Sequence, residues 1–360
     1  MNERQKKQKV FEESGTNIIL GNIGDFDPII SLVKEKIVVG YENEDVKVLA
    51  SFENGLTAKV YQVLYKGKCY NLKVKRVPSL VKNIDGETSF LNEVQRRKDF
   101  EELRKGNLVI DKGVVKTLYA NYREGIILSE WIKGEEIKEY TRDIFRSLFT
   151  LTWYFEKSGV MEWDLCSSNI LLSNKQVKLF DFGYAYTYDP LTEYNSEGNK
   201  LPLFNSVERF ETRSFMPYLL EKNEGEILSI YRVEKEEAIR IYEEKLNWLI
   251  KNEASEDLIE TAKEQLRKWR QGLTNLEELK KLYRVESIRS YVLDIHDDVS
   301  GKSCTPKTLL KIKKVIELIR TDHEFFLSED AYLWDDKLLS RQQLLKKYEK
   351  LYEIANLYQV

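Results

Sequence analysis

Cysteine is scarce in this chain. Its three residues, Cys69, Cys166 and Cys304, are far apart and odd in number. No CxxC pair exists, so neither a zinc site nor a disulfide framework is supported, and a reducing compartment is the simplest reading. Glycine and proline are scarce too, 17 and 6 of 360 residues, which argues against disorder and against a turn-rich all-β fold. Long apolar runs are missing. No segment approaches the roughly 18 apolar residues that a membrane span needs. The basic N-terminus, MNERQKKQKVFEESG, has no apolar signal segment behind it. A large charge excess is missing as well: 57 Lys and Arg against 60 Asp and Glu leave a net charge of -3, so bulk charge does not mark a nucleic-acid binder. The expectation is a cytoplasmic protein, or one exported without a cleavable signal peptide.

What is there suits a globular protein. With 42% hydrophobic and 32% charged residues over 360 positions, the chain can bury a core of one large or two modest domains without disulfide staples. Four zones differ in texture. Residues 1–44 mix short apolar runs with Gly and Asp and read as an N-terminal extension. Residues 45–135 carry strand signals such as VKVLASF, KVYQVLY, KCYNLKVKR and GIILSEW, with YKGK at 65–68 as a hairpin turn. One helical pattern interrupts them, ETSFLNEVQRRKDFEELRKG, with Phe90, Val94 and Phe100 loosely on one side and Gly106 as a stop. Residues 136–230 open on a helix that Thr141 can cap and Gly159 can end; Ile144, Leu148, Leu151 and Phe155 form its apolar stripe. Residues 231–360 read as an all-helical C-terminal subdomain with densely mixed charges. Ile239, Tyr242, Leu246 and Leu249 share one face there. Leu309, Ile312, Ile316 and Ile319 share another, after a Thr305 cap with Pro306 at the first helical position. The expectation is that the charges of this zone are solvated faces.

One stretch carries chemistry. SGVMEWDLCSSNILLSNKQVKLFDFGYAY, at 158–186, places Asp164, Asn169 and Asp181 among apolar runs, where an unpaired carboxylate is costly. Two short strands joined by SNKQ would bring Asn169 and Asp181 together. A converging Asp and Asn are oxygen ligands suited to Mg²⁺, and Asp164 would face an attacking hydroxyl.

MEWDLCSSNILL followed by KLFDFG resembles the catalytic loop and the metal-binding Asp-Phe-Gly of the protein-kinase-like superfamily. Asp164, Leu165 and Asn169 fit the first motif and Asp181 the second. Upstream, GLTAKVYQVLYKGKCYNLKV resembles the first strands of the small kinase lobe. YNLK matches the family's V-A-I-K, which favours Lys73 over Lys75, the next lysine on the same side of the strand, as the phosphate anchor. The resemblance implies that Glu93 is the helix carboxylate holding Lys73 and that Ser129 guards the nucleotide pocket. It further implies that Glu130 to Ile132 present backbone groups to adenine, that Glu136 reaches a ribose hydroxyl, and that Gly55 and Val60 cover the nucleotide. The implied fold is α+β: a bilobal protein-kinase-like fold with a small β-rich N-lobe and hinge at 45–135, a larger helical C-lobe with the catalytic and metal-binding loops at 136–230, and the added helical subdomain. The implied cofactors are ATP and Mg²⁺. The resemblance covers roughly residues 48 to 190.

The chain also departs from that pattern. Glu53, Gly55 and Ala58 occupy the three glycine slots of the phosphate loop. Glu162 and Trp163 replace His-Arg, which removes the usual partner of a phosphorylated activation loop; activity is expected to survive phosphatase treatment. Cys166 stands where protein kinases often carry a lysine. The segment after Gly183 is Tyr-rich, and FNSVERFETRSFMPYLL is a divergent candidate for the A-P-E region. LDIHDDVSG at 293–301 reads as an exposed acidic loop, with a metal site as the alternative.

The functional expectation is a protein kinase that transfers the γ-phosphate of ATP to a protein hydroxyl, Ser/Thr favoured. Its helical tail would select the substrate or bind a partner protein. The alternatives are a small-molecule kinase on the same fold and a pseudokinase scaffold. The departures resemble bacterial or phage kinases, or secreted effectors, more than regulatory animal kinases. Oligomeric state is not legible.

Overall fold

The computed structural model describes residues 3–34, 37, 39–42, 45–53 and 55–359, so the expected boundary at residue 44 lies outside the described residues. The chain divides into two compact units, residues 1–135 with 171–185 and residues 136–170 with 186–360.

The first unit is built on a six-stranded sheet, in the order β1-β5-β6-β4-β3-β2. The strands are β1 (Ile19–Gly21), β2 (Val46–Phe52), β3 (Ala58–Tyr65), β4 (Lys68–Lys75), β5 (Thr117–Asn121) and β6 (Ile126–Glu130). The β3–β4 turn has Lys66 and Gly67 at φ 47° and 74°. Two successive left-handed residues give the tight turn whose twist matches that of the strands, as YKGK predicts. Alternation along the strands separates two apolar layers. One gathers Val46, Val48, Val63, Leu72 and Leu128. The other gathers Phe90, Leu91, Val94, Ala120 and Ile127, and its helical part is α3.

The helices of this unit are α1 (Glu3–Glu13), α2 (Asp27–Ser31), α3 (Ile84–Arg104) and α4 (Leu108–Gly113). The Asn83 side chain caps α3 by accepting the Gly86 N–H at 2.8 Å, which starts the helix a turn earlier than the apolar pattern alone suggests. The N-terminal segment is built into the sheet. Strand β1 pairs antiparallel with β5, Ile19 opposite Asn121, and Phe11 of α1 packs edge-on against Tyr122.

The second unit starts with the short β7 (Glu135–Glu136) at its boundary and α5 (Arg142–Lys157). Ile144, Leu148, Leu151 and Phe155 of α5 are all buried, and Gly159, at φ 73°, ends it as predicted. Strand β8 (Val160–Glu162) leads into the loop at 163–169; the hairpin of β9 (Ile170–Ser173) and β10 (Gln176–Leu179) that follows belongs, from Leu171 on, to the first unit. Its SNKQ turn holds Asn174 and Lys175 at φ 51° and 62°. After β11 (Ala185–Thr187) come α6 (Ser206–Phe210), a π-helical turn at Glu211–Phe215, and α7 (Met216–Leu219). Phe145 and Phe149 of α5 pack against Phe210, and Phe145 also meets Phe215, edge to face.

The remaining helices are α8 (Glu224–Lys251), α9 (Glu256–Gly272), α10 (Leu276–Gly301), α11 (Pro306–Ser328) and α12 (Arg341–Leu357). Helix α11 begins at Pro306, where the Thr305 N–H donates to Thr308 Oγ1 at 2.9 Å. Residues 231–360 fall in the same compact unit as the loop at 163–169. The charges of this zone are not all solvated. Glu234, Lys235 and Asp336 are fully buried, and Asp294 and Lys311 nearly so. Periodicity finds apolar faces but misses these; Lys235 meets Glu211 and Glu286, and Asp294 meets Arg213 and Lys311, all far away in sequence. Among the described residues, no helix is long and apolar enough to cross a membrane.

Candidate active site

Lys73 lies on β4, opposite Val60 on one side and Ile127 on the other. Its Nζ stands 2.6 Å from Glu93 Oε2 on α3 and 2.8 Å from Asp181 Oδ2. Lys75, two residues on, turns to the ring of Tyr122 instead, with its Nζ 4.8 Å from the centroid.

Arg97, one helical turn past Glu93, completes the cluster. Its Nε donates to Glu93 Oε1 at 2.9 Å, one Nη to Thr117 Oγ1 at 3.0 Å and the other to the carbonyl of Phe180 at 2.6 Å. Glu93 is 1% and Arg97 3% exposed, so two cations and two carboxylates offset one another where none could stand alone. Burial works against the Lys73 ammonium, but Asp181 and then Glu93 outweigh it and raise its pKa above the ordinary lysine value. Burial likewise works against the ionised Asp181, and Lys73, with help from Arg97, outweighs it; its pKa falls below the usual carboxylate range.

The segment after Asp181 is held by α3 as well. The Asn92 amide donates to three carbonyls, those of Phe182, Gly183 and Ala185, at 3.2, 3.0 and 2.7 Å. Phe182 is fully buried and meets Phe100 edge-on at 4.7 Å. Asp181 Oδ1 accepts the Gly183 N–H at 3.3 Å, and the aspartate side chain is a third exposed. The backbone is therefore pinned while one carboxylate face stays accessible.

The expected nucleotide-side residues of this unit spread along its strands. Ser129 is 2% exposed on β6. The Glu130 N–H is engaged by the carbonyl of Lys116 at 3.0 Å. Ile132 is half-buried, and Trp131 stacks on Phe52 with 6.0 Å between ring centroids. Gly55 has a steric reason: a Cβ there would lie 2.4 Å from the carbonyl of Ala58. Arg76 Nε donates to the Gly55 carbonyl at 2.7 Å and Nη2 to that of Glu53 at 2.5 Å. The Glu53 carboxylate pairs with Lys59 at 3.3 Å in an exposed position.

In the second unit, Asp164 and Asn169 form a group of their own, and Glu136 is exposed. The Asn169 amide nitrogen donates to the Asp164 carbonyl and to Oδ2, both at 3.1 Å, which leaves its oxygen as the atom able to meet a cation. Arg213 Nε donates to Asp164 Oδ1 at 3.0 Å. The Asp164 N–H donates to Glu162 Oε1 at 2.8 Å, so Glu162 braces the loop. The Trp163 carbonyl accepts from Arg209 Nε and Nη2 at 3.0 and 2.9 Å.

The stretch at 293–301 is helical rather than an exposed loop. Asp294 and Asp298 are buried inside α10, and Asp297 pairs with Arg209 at 2.8 Å. Its acids are neutralised by arginine and lysine. Among the described residues, no group of three or more His, Cys, Asp or Glu is arranged to hold a metal ion.

Sequence reasoning missed Arg97, Asn92 and Arg213. The first had a usable signal, an arginine four residues after the helix glutamate. The other two had none short of the tertiary structure.

No family model matches the chain. It is 26% identical over 120 residues to a protein of Archaeoglobus fulgidus named as a probable serine/threonine-protein kinase BUD32 homolog. The match takes in 32% of this chain and 58% of that protein. This distant, partial likeness supports a protein-kinase-like relationship, with which the sheet-rich N-terminal region and the larger helical region are compatible.

Proposed function

We propose that the chain is an ATP-dependent phosphotransferase, a protein kinase that transfers the γ-phosphate to a protein hydroxyl, with Ser or Thr as acceptor. The observation that carries this reading is Lys73 held between Glu93 and Asp181 at hydrogen-bond distance. A buried ammonium fixed on a strand by two carboxylates, one of them accessible, is suited to orienting phosphates. The A. fulgidus relative supports the same class.

The donor types suit Mg²⁺: the accessible Asp181 carboxylate of the first unit and the Asn169 amide oxygen of the second are each hard oxygen ligands of the kind that ion takes alongside phosphate oxygens and water. When bound, the ion would neutralise charge on the phosphates. The chain's own residues do the rest. Lys73 orients the phosphates. Asp164 takes the proton of the acceptor hydroxyl as that oxygen bonds to the γ-phosphorus. The bond from the γ-phosphorus to the bridging oxygen breaks, ADP leaves with the electron pair, and the proton passes from Asp164 to solvent.

Mass spectrometry of the protein after incubation with ATP and Mg²⁺, with casein as added acceptor, tests the reading. One phosphoryl group on a serine or threonine of either protein is expected. Stabilisation by ATP with no transfer, whether or not the metal is present, would point to a binding scaffold instead.

A further inference from the structure

The residues around Asp164 extend the proposed mechanism, on which this inference rests. Arg213 sits in the π-helical turn at 211–215, a distortion that often marks a functional position. Its guanidinium reaches in two directions. Nε donates to Asp164 Oδ1 at 3.0 Å. Nη1 donates to Asp294 Oδ1, and to Asp298 Oδ1 at 3.3 Å. Both acids project from α10, four residues apart and so on one face. Each is fixed in turn, Asp294 by the ammonium of Lys311 and Asp298 by the Thr308 hydroxyl at 2.6 Å. Burial works against the charge of Arg213, and Asp294, Asp164 and Asp298 together outweigh it.

Neighbouring residues share this design. Arg209, one turn earlier, bonds the Trp163 carbonyl and Asp297, and the Ser214 hydroxyl donates to the Leu165 carbonyl at 2.7 Å. Three residues of one segment thus grip the loop on both sides of Asp164, and two of them are backed by acids of α10.

We infer that Arg213 is a positioning residue for the phosphotransfer: with Asn169 it holds the Asp164 carboxylate in one orientation, and α10 holds Arg213 through Asp294 and Asp298. The C-terminal helices are then part of the catalytic apparatus. The arginine acts through Asp164, so its loss should slow turnover without weakening nucleotide binding. A lysine carries the charge but not the planar fork that spans Asp164 and the two α10 acids.

The test compares wild type, Arg213→Gln and Arg213→Lys, by label transfer from γ-labelled Mg-ATP to the protein or to casein. Arg213→Gln should lower kcat at least about tenfold and leave the KM for ATP within about threefold, with Arg213→Lys recovering part of kcat. A wild-type kcat in Arg213→Gln, or a loss that falls on KM, overturns the inference. A second measurement does not depend on activity: the Arg213 Nε–H resonance of the full chain, followed for exchange with water. It should be protected in wild type and lose protection in Asp164→Ala. If wild type transfers no phosphate yet that loss is seen, the kinase reading falls and the Arg213–Asp164 coupling stands. An Nε–H signal indifferent to Asp164→Ala overturns the coupling itself.

Discussion

Arg97 and Glu93, four residues apart on α3, are bonded at 2.9 Å with almost no exposure of either side chain. The pairing takes one oxygen of Glu93 and leaves the other for Lys73. The helix carboxylate is thus held from behind, and the Phe180 carbonyl is tied to the same guanidinium.

Arg97→Leu should therefore be strongly destabilising. It leaves Glu93 with one cation in place of two, and frees the Phe180 carbonyl and the Thr117 hydroxyl. Breaking a buried pair in this way costs about 3–5 kcal/mol. Urea unfolding followed by tryptophan fluorescence would measure it, and a change below about 1 kcal/mol would show that Glu93 does not rely on Arg97.

Lys73 and Asp164 should separate binding from turnover. Asp164→Asn is expected to lower phosphoryl transfer by about 10²–10⁴-fold while the thermal shift given by Mg-ATP persists. Lys73→Ala should weaken both. Transfer at near wild-type rate in Asp164→Asn would remove Asp164 from the role of base.

Asn92 gives a prediction at a distance from the reacting groups. Its amide is shared among the carbonyls of Phe182, Gly183 and Ala185. Asn92→Leu would keep the volume and strand these acceptors, at a cost of about 1–3 kcal/mol. The Mg²⁺-dependent part of the ATP thermal shift should shrink with it, because Asp181 loses its fixed backbone. Differential scanning fluorimetry with ATP plus Mg²⁺ against ATP plus EDTA reads both effects.

A pH effect follows from the second unit. Lys235 is buried with Glu211 and Glu286 bonded to its ammonium and Glu234 at 3.4 Å. Three carboxylates against one ammonium leave an excess of negative charge. Burial pushes the Glu234 carboxyl up from 4.5 to about 7, with Lys235 opposing and Glu286 adding to the rise. A folded-state pKa above the unfolded one means that folding favours the neutral acid. The contribution of this group to stability is then full below about pH 4.5 and is lost as pH rises through about 7. Glu234→Gln fixes the neutral form. It should leave Tm unchanged near pH 4.5 and raise it at pH 8, by a free energy of order ~3 kcal/mol. A Tm gain equal at both pH values would place the proton elsewhere in the cluster.

Local features were legible in the amino-acid order because they depend on neighbours in sequence. YKGK and SNKQ specify their turns through residues able to take positive φ. The stripe of α5 and the Thr305–Pro306 start of α11 follow from periodicity and capping, while the expectation for Lys73 and Glu93 comes from the resemblance to kinase motifs. Tertiary structure alone decided the rest: which cations neutralise the acids of 293–301, that Asn92 reaches the carbonyls at 182, 183 and 185, and that Arg213 stands between Asp164 and α10. Arg213 is 49 residues from the first of these partners and 81 from Asp294. A charge carries no periodicity that announces its partner. Burial makes each such pairing obligatory, and only the packing of the helices determines which pairing is made.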